Sequence, residues 1–161
     1  MIVAATGHRP QKLGGFSTAI DRRLVNLAAA YLERVRPTRV IVGMALGWDQ
    51  AVAEAALALG IPFTAAVPFE AQDLRWPECS RRRYRILRAR AAETVVLETS
   101  FTGRAMQKRN EWMVDRCECL VALWDGSFGG TFDCLQYASR VGRPSENLWP
   151  KWVGDLSDLL S

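Results

Sequence analysis

The sequence has few of the residues that build metal centres and disulfide frameworks. Its 161 residues include four cysteines and one histidine. Four cysteines are too few for the dense cross-linking of a small secreted domain, and a chain of this length can bury a core without disulfides. Cys117 and Cys119 lack the two-residue spacer of a metal knuckle, and a zinc site needs four well-placed ligands. We therefore expect free thiols, no metal and no cofactor.

Long hydrophobic runs are also missing. No uninterrupted apolar stretch approaches the roughly 20 residues that span a bilayer, and the amino terminus lacks the pattern of a secretion signal. Hydrophobic residues nevertheless make up 49% of the chain. These features predict one compact cytoplasmic domain over residues 1–150 with no membrane contact. The remaining residues, 151–161, form a C-terminal tail that either packs on the domain or reaches a partner subunit.

The positive charge of the chain is small, and its excess is local. The chain has 21 Lys and Arg against 17 Asp and Glu, a net charge of +4, and residues 75–90 hold seven of the arginines. Arg81, Arg85 and Arg88 are spaced to share one face of a helix. This pattern is typical of a solvated helix face, but contact with phosphate or nucleic acid stays open.

Short apolar runs alternate with amphipathic stretches along the chain. Each of five runs is followed by helical periodicity, and the runs begin at Ile2, Arg39, Ile61, Thr94 and Cys119. This alternation predicts an α/β fold: a single Rossmann-like domain with a mainly parallel sheet of about five to six strands and helices on both faces. Pro68 is expected to end the third strand. Residues 143–150 contain two prolines and are expected to form at best a short edge strand.

The fifth predicted strand leads into a glycine-rich loop whose polar and glycine residues are Asp125, Ser127, Gly129, Gly130 and Thr131. Adjacent glycines let the backbone approach an anion, and the free amides of the following helix point toward it. The hydroxyl of Thr131 either caps the helix or binds the phosphate. The loop is neither the dinucleotide fingerprint nor a Walker loop, which argues against a dehydrogenase or an ATPase. A phosphate site is favoured, with a plain strand-to-helix turn as the alternative.

A second glycine turn links the second predicted strand to its helix, from Gly43 to Asp49. Asp49 either caps that helix or contributes to a cleft that binds a sugar phosphate. Trp48, Trp76 and Tyr84 each offer an aromatic face for a base, although such residues more often belong to the core or its rim.

Asp133 lies in the first predicted turn of the helix after the glycine-rich loop. A carboxylate there is stabilised by the helix dipole without any further role. It is also placed to accept a ribose hydroxyl or to stabilise an oxocarbenium-like transition state at the anomeric carbon. Both interpretations stay open.

The first predicted strand ends in Gly7, His8 and Arg9. The imidazole is a candidate acid or base and the guanidinium a candidate phosphate clamp, with a hydrogen-bonded loop histidine as the alternative. Because ligands of parallel α/β sheets bind beyond the carboxyl ends of the strands, the loops 6–15, 43–49, 68–76 and 125–131 are expected to meet there.

Taken together, these motifs resemble the SLOG superfamily, the Rossmann-like group named for the Smf/DprA DNA-processing proteins and the Lonely Guy enzymes, and within it the YspA/YpsA-like branch. The resemblance spans roughly residues 2–150. It is carried, in this order, by Thr6–Gly15, Gly43–Asp49, Ala66–Phe69, Arg109–Asp115 and Trp124–Thr131.

The resemblance implies roles for particular residues. Lonely Guy enzymes hydrolyse the N-glycosidic bond of nucleoside 5′-monophosphates with an arginine from a Met-x-x-Arg-Lys segment and a glutamate after a Gly-Gly-x-Gly-Thr loop. Met106-Gln-Lys-Arg109-Asn110 is similar to the first element, which implies that Arg109 is catalytic. Asp133 takes the place of the glutamate. The sequence departs from the pattern in Asn110, which replaces the lysine, in a shorter loop, and in the shorter acid.

Three functions follow as hypotheses. The first is a nucleotide-binding protein that hydrolyses a nucleoside 5′-monophosphate to base and (deoxy)ribose 5-phosphate, with Asp133 stabilising the sugar cation or activating water. The second is a non-catalytic sensor of a nucleotide-derived ligand. The third, ranked lowest, is a DprA-like binder of single-stranded DNA that uses the arginine-rich helix. The resemblance also implies a homo-oligomer, most often a dimer.

Overall fold

The computed structural model describes residues 1–160, with side chains described for residues 1–154. Six strands form one sheet: β1 Ile2–Gly7, β2 Arg39–Val42, β3 Phe63–Phe69, β4 Glu93–Glu98, β5 Cys119–Leu123 and β6 Ser145–Asn147. The helices are α1 Thr18–Val35, α2 Trp48–Ala58, α3 Glu78–Ala89, α4 Ala105–Arg116, α5 Gly130–Arg140 and α6 Trp149–Leu160. All strands are parallel, in the order β4-β3-β2-β1-β5-β6. The predicted Rossmann-like α/β fold is confirmed.

Helices cover both faces of the sheet, as predicted. Successive side chains of a strand point to opposite faces, so Val3 and Ala5 of β1 join one core cluster and Ala4 joins the other. The first cluster packs against α1, α2, α3 and the start of α6, and the second against α4 and α5. Because the central strands are buried on both faces, they appear in the sequence as continuous apolar runs.

Pro68 does not end β3, contrary to our expectation. The strand continues through Pro68 to Phe69. Proline lacks the N–H that a sheet ladder needs, but β2 ends at Val42, which lies opposite Ala65. At Pro68 there is consequently no β2 residue to pair with, and the missing donor costs no bond on that side.

The carboxyl-terminal residues begin with a helix that periodicity did not predict. Pro150 lies in the first turn of α6, where backbone N–H groups have no intrahelical hydrogen-bond partner, so the missing N–H of proline costs no hydrogen bond. Trp152 is buried in the first core cluster, and the guanidinium of Arg23 lies 4.9 Å from its ring centre. The predicted tail thus starts inside α6. Residue 161 and the side chains from residue 155 onward lie outside the described residues.

Candidate functional site

The order of the strands places a cleft between β1 and β5. From β1 the sheet grows outward to β4, and the chain then returns to β5 on the other side of β1. Gly7 at the end of β1 lies opposite Leu123 at the end of β5. The connections diverge at this point, and such a switch point is where open α/β sheets bind ligands.

A cavity of about 460 Å³ lies at this switch point. Its walls come from the loop after β1, the start of α2, α4 and the glycine-rich loop before α5. Most of the predicted site residues line it, namely Gly7, His8, Arg9, Asp49, Arg109, Asn110, Ser127, Gly129, Gly130 and Thr131. Gly43, Trp48, Asp125 and Asp133 are the predicted residues outside the lining.

Arg109 supplies a buried positive charge to the cavity. The residue is only 6% exposed, and burial lowers the pKa of its guanidinium. Nε donates to Asn110 Oδ1 at 2.9 Å, and Nη1 donates to the carbonyl oxygen of Gly43. No carboxylate of the described residues lies within ion-pair distance of it. Buried charges are normally paired, so this guanidinium is suited to an anionic ligand.

Asn110 couples Arg109 to the glycine-rich loop. Its side-chain oxygen accepts from Arg109, and its Nδ2 donates to the carbonyl oxygen of Gly130 at 3.3 Å. A chain of hydrogen bonds therefore runs from Gly43 at the end of β2, through α4, to the start of α5. The asparagine that replaces the lysine of the Lonely Guy pattern has a positioning role here.

The glycine-rich loop leaves the start of α5 open toward the cavity. Gly129 adopts φ 151° and ψ −164°, a conformation that is essentially restricted to glycine. No protein atom lies within 4 Å of the position of a Cβ on Gly129 or Gly130. α5 has no side-chain cap, so Thr131 does not cap it, and the residue lines the cavity instead. The free amides of the first turn are available to an anion.

Asp125 holds this loop in shape without lining the cavity. Its Oδ1 accepts from the backbone N–H of Ser127 at 2.9 Å and from the hydroxyl of the same residue. Nε2 of His8 lies 2.7 Å from Oδ1 and 3.0 Å from the backbone nitrogen of Asp125, so His8 contacts both the side chain and the backbone of this residue. The hydrogen bonds from Ser127, followed by that from His8, hold the pKa of Asp125 well below its usual range.

Lys12 and Asn147 support the same loop, and sequence reasoning missed both. Lys12 Nζ donates to Ser127 Oγ at 2.6 Å. Oδ1 of Asn147 in β6 accepts a hydrogen bond from the backbone N–H of Trp124 at 3.1 Å, and Nδ2 of Asn147 donates to the carbonyl oxygen of Trp124 at 2.9 Å. Lys12 lies in the Thr6–Gly15 motif, and this position could have marked it as a site residue. Asn147 lies in a stretch with weak hydrophobic periodicity, which gave no such indication.

Asp49 is the single acidic residue among those that line the cavity. It lies in the first turn of α2, whose N-cap is Gly47, so Asp49 does not cap the helix. The carboxylate is 5% exposed, and Oδ2 accepts from the backbone N–H of Ala45 at 3.3 Å. Burial raises its pKa to about 6, against the opposing effects of Arg109 and Arg9.

Gly43 and Trp48 lie outside the cavity lining and pack against residues that belong to it. A Cβ atom on Gly43 would overlap the guanidinium of Arg109, so this position has room only for glycine. Trp48 is fully buried in the core and packs against Gly7, where a Cβ atom would overlap its ring. These residues shape the cavity, and Trp48 does not offer a face to a ligand.

Comparison with known proteins identifies the family and supports the fold. Residues 3–140 match the family described as the YspA SLOG family. The chain belongs to the YspA SLOG family. Its relative YoqJ, an SPbeta prophage-derived protein of Bacillus subtilis, is 35% identical over 120 residues, which cover 64% of this chain and 70% of YoqJ.

Solved structures share the fold of this SLOG protein at low sequence identity. DNA processing protein A (DprA) of Streptococcus pneumoniae has a TM-score of 0.64 and 16% identity over 90% of this chain and 49% of that one. DprA of Helicobacter pylori, solved in a study of single-stranded DNA binding, has a TM-score of 0.66 and 15% identity. The match covers 91% of this chain and 64% of that one. The molybdenum cofactor binding protein of Rippkaea orientalis has a TM-score of 0.59 and 13% identity, and the match covers 98% of this chain and 84% of that one. This chain spans about half of the pneumococcal DprA.

Asp133 of this SLOG protein does not line the cavity. It is exposed, whereas Thr131 and Cys134 on the same helix are buried. The carboxylate that the resemblance assigns to chemistry is therefore exposed and lies outside the cavity lining.

The aromatic side chain that lines the cavity is Phe132. Its ring contacts Phe128 at a centroid distance of 4.8 Å and Trp124 at 6.0 Å, and Phe128 is 83% exposed. Trp76 and Tyr84, by contrast, pack against each other outside the lining.

The arginine-rich helix α3 is largely neutralised by neighbouring acids. Four of the seven arginines of residues 75–90 form ion pairs, and these are Arg81 with Asp73, Arg83 with Asp21 and Glu54, Arg85 with Glu78, and Arg88 with Glu70. The loop 68–76 does not line the cavity; its Gln72 donates to the carbonyl oxygen of Met44 at 3.5 Å. These contacts match the solvated helix face considered from the sequence.

Three further features of the described residues concern the cysteines, membrane contact and metal binding. All four cysteines are free thiols. Within residues 1–160, no helix combines the length and hydropathy needed to cross a membrane. The described residues contain no group of three or more His, Cys, Asp or Glu side chains placed to hold a metal ion.

Proposed function

We propose that this protein binds a nucleoside 5′-monophosphate in the switch-point cavity and hydrolyses its N-glycosidic bond. The observation that carries the proposal is Arg109, a buried guanidinium that forms no ion pair with the described residues and feels the charge of Asp49 only at longer range, in the same cavity as the open Gly129–Gly130 turn. A guanidinium and free helix amides together form the donor set that proteins use for phosphate.

The charge of the cavity supports an anionic ligand. Arg9, Lys12 and Arg109 line it together with a single acid, Asp49. The volume of about 460 Å³ lies within the range of roughly 300–1,000 Å³ that is usual for small-molecule sites. A sugar monophosphate with one base is thus of suitable size and charge.

Phe132 gives the cavity an aromatic wall, which supports a ligand that carries a base as well as a phosphate. Phe132 lines the cavity in the first turn of α5, and Phe128 extends the aromatic surface outward. Aromatic rings stack on any base because every base has a π face. In our proposal the phosphate occupies the glycine turn and Arg109, and the base lies against Phe132.

The hydrolytic part of the proposal rests on the resemblance to Lonely Guy enzymes. Arg109 and the loop Gly129–Thr131 match the elements that those enzymes use, and both line the cavity. In the mechanism they hold phosphate and ribose while charge develops at the anomeric carbon. The role assigned by resemblance to Asp133 is the weakest part of the match, because that residue is exposed.

The test combines binding with turnover. Wild-type protein is incubated with a panel of nucleoside 5′-monophosphates, free base is followed by chromatography, and affinity is measured by calorimetry and by thermal stabilisation. We expect base release for at least one ligand, and at 100 times Kd a stabilisation of about 2.7 kcal/mol. Arg109→Met should lose the stabilisation, whereas Arg140→Met, at the end of α5, should keep it.

Other outcomes separate the alternatives. Tight binding without base release would replace hydrolysis by the non-catalytic sensor. Affinity for single-stranded DNA that falls steeply with salt, with none for monophosphates, would favour a function like that studied for Helicobacter pylori DprA. The ion pairs of α3 argue against that outcome, since few of its arginines are left to contact phosphates.

A further inference from the structure

We infer that Asp49, and not Asp133, is the carboxylate that activates water in the hydrolysis of the N-glycosidic bond. This inference rests on the proposed function and names a further catalytic residue for it. Glycoside chemistry with an oxocarbenium-like transition state needs a carboxylate at the sugar. Among the residues that line the cavity, Asp49 is the one that supplies it.

The position of Asp49 fits this role. Its carboxylate is buried in the wall of the cavity, at the start of α2, and the backbone N–H of Ala45 fixes Oδ2 at 3.3 Å. No other hydrogen bond joins the carboxylate of Asp49 to a described group, so its remaining lone pairs are available to a ligand hydroxyl or to water. A carboxylate that is 5% exposed and incompletely hydrogen-bonded is costly unless a ligand uses it.

The electrostatic surroundings tune Asp49 to neutral pH. Burial raises its pKa to about 6, while Arg109 on α4 and Arg9 after β1 favour the ionised form. Cys134 on α5 is the other titratable group that interacts with it, and burial raises the pKa of that thiol to about 12, so it stays neutral. Asp49 is consequently ionised above pH 6 but still basic enough to accept a proton, as a general base requires.

The proposed step balances as follows. The oxygen of water forms a bond to C1′, and the C1′–N bond breaks with its electron pair passing to the base. One proton of the water passes to Asp49, which returns it to solvent, and the nitrogen of the departing base takes a proton from solvent. Base and sugar 5-phosphate are the products, and no oxidant, reductant or metal takes part.

The experiment compares two isosteric variants, Asp49→Asn and Asp133→Asn. We measure kcat and KM for base release, Kd by calorimetry, and the pH profile of kcat/KM, with circular dichroism as a check of folding. Removal of a general base costs roughly 10²–10⁴-fold. Asp49→Asn should therefore lower kcat at least about 100-fold with Kd little changed, while Asp133→Asn stays close to wild type. Wild-type kcat/KM should rise with pH through about 6.

The possible failures are distinguishable. Loss of turnover in Asp133→Asn with turnover retained in Asp49→Asn would overturn the inference and leave the proposed hydrolysis standing. A loss in Asp49→Asn that appears only in KM would also overturn it, because it would reduce Asp49 to a binding residue. Binding without base release by the wild type would overturn the inference together with the hydrolytic half of the function, and absence of nucleotide binding would overturn the whole proposal.

Discussion

The carbonyl oxygen of Gly43 accepts a hydrogen bond from Arg109, and any side chain at Gly43 would occupy the space of that guanidinium. The end of β2 thus sets the position of a charge that α4 supplies. Because Asn110 passes the same chain of hydrogen bonds on to Gly130, the geometry of the cavity depends on contacts among three separate segments.

The first prediction concerns Gly43→Ala. The added methyl group should displace the guanidinium, so we expect at least a tenfold loss of nucleotide affinity and, from overpacking, a loss of about 1–3 kcal/mol in the free energy of unfolding. Calorimetry and urea denaturation measure the two effects. Gly103→Ala is the control, since no atom lies within 4 Å of its Cβ position. Full affinity in Gly43→Ala would contradict the role of Arg109.

The second prediction concerns the aromatic wall. Base stacking on an aromatic ring contributes about 1–3 kcal/mol. Phe132→Ala should therefore weaken binding of a nucleoside 5′-monophosphate but leave that of ribose 5-phosphate nearly unchanged. Phe101→Ala, which alters an exposed ring packed against Phe69, is the control. Equal losses for both ligands would mean that Phe132 shapes the phosphate site and does not stack on the base.

The third prediction concerns the stability cost of Asp49. Its pKa is about 6 in the folded protein and 3.8 ordinarily, so between these values the folded state retains a proton that the unfolded state loses. Stability of the wild type should therefore fall as pH rises from about 4 to about 6, by up to about 3 kcal/mol. Asp49→Asn does not titrate there.

Urea denaturation at pH 4 and pH 8 tests this point. The stability of Asp49→Asn relative to wild type should be higher at pH 8 than at pH 4, a cost of the kind that functional residues commonly impose. Asp133→Asn controls for the removal of one negative charge. A pH-independent difference between Asp49→Asn and wild type would show that burial of the charge carries no such cost.

The fourth prediction concerns Asp125→Ala. This substitution removes the acceptor for the amide and the hydroxyl of Ser127 and the side-chain contact with His8, so the glycine-rich loop should become mobile and nucleotide affinity should fall by about 1–3 kcal/mol. Hydrogen exchange of the loop amides and calorimetry measure the two effects. Glu33→Ala, which removes an exposed acid of α1 far from the loop in sequence, is the control. Unchanged exchange rates would exclude this bracing role.

The pH range of this bracing follows from the lowered pKa of Asp125. A carboxylate whose pKa is depressed on folding contributes stability above its ordinary pKa and loses it as pH falls toward the folded value. The contribution of Asp125 should therefore be complete at about pH 5 and above and decline only at more acidic pH.

The sequence by itself determined the sheet and the edge of the sheet at which the candidate site lies. Parallel strands buried on both faces must be apolar throughout, and each of the five predicted runs became a strand. The glycine-rich loop was also readable, because its backbone requirement at Gly129 is local. Since the carboxyl ends of parallel strands share one edge, the loops after β1, β2 and β5 had to meet.

The tertiary structure alone decided which side chains enter the cavity. Asp49 and Asp133 both lie in the first turn of a helix that follows a glycine turn, yet Asp49 is buried in the cavity wall and Asp133 is exposed. Trp48 likewise lies in the core, because Gly7 leaves room for its ring. These outcomes depend on how α2, α4 and α5 pack across the sheet, and helix rotation relative to the sheet is set by long-range packing that no local pattern specifies.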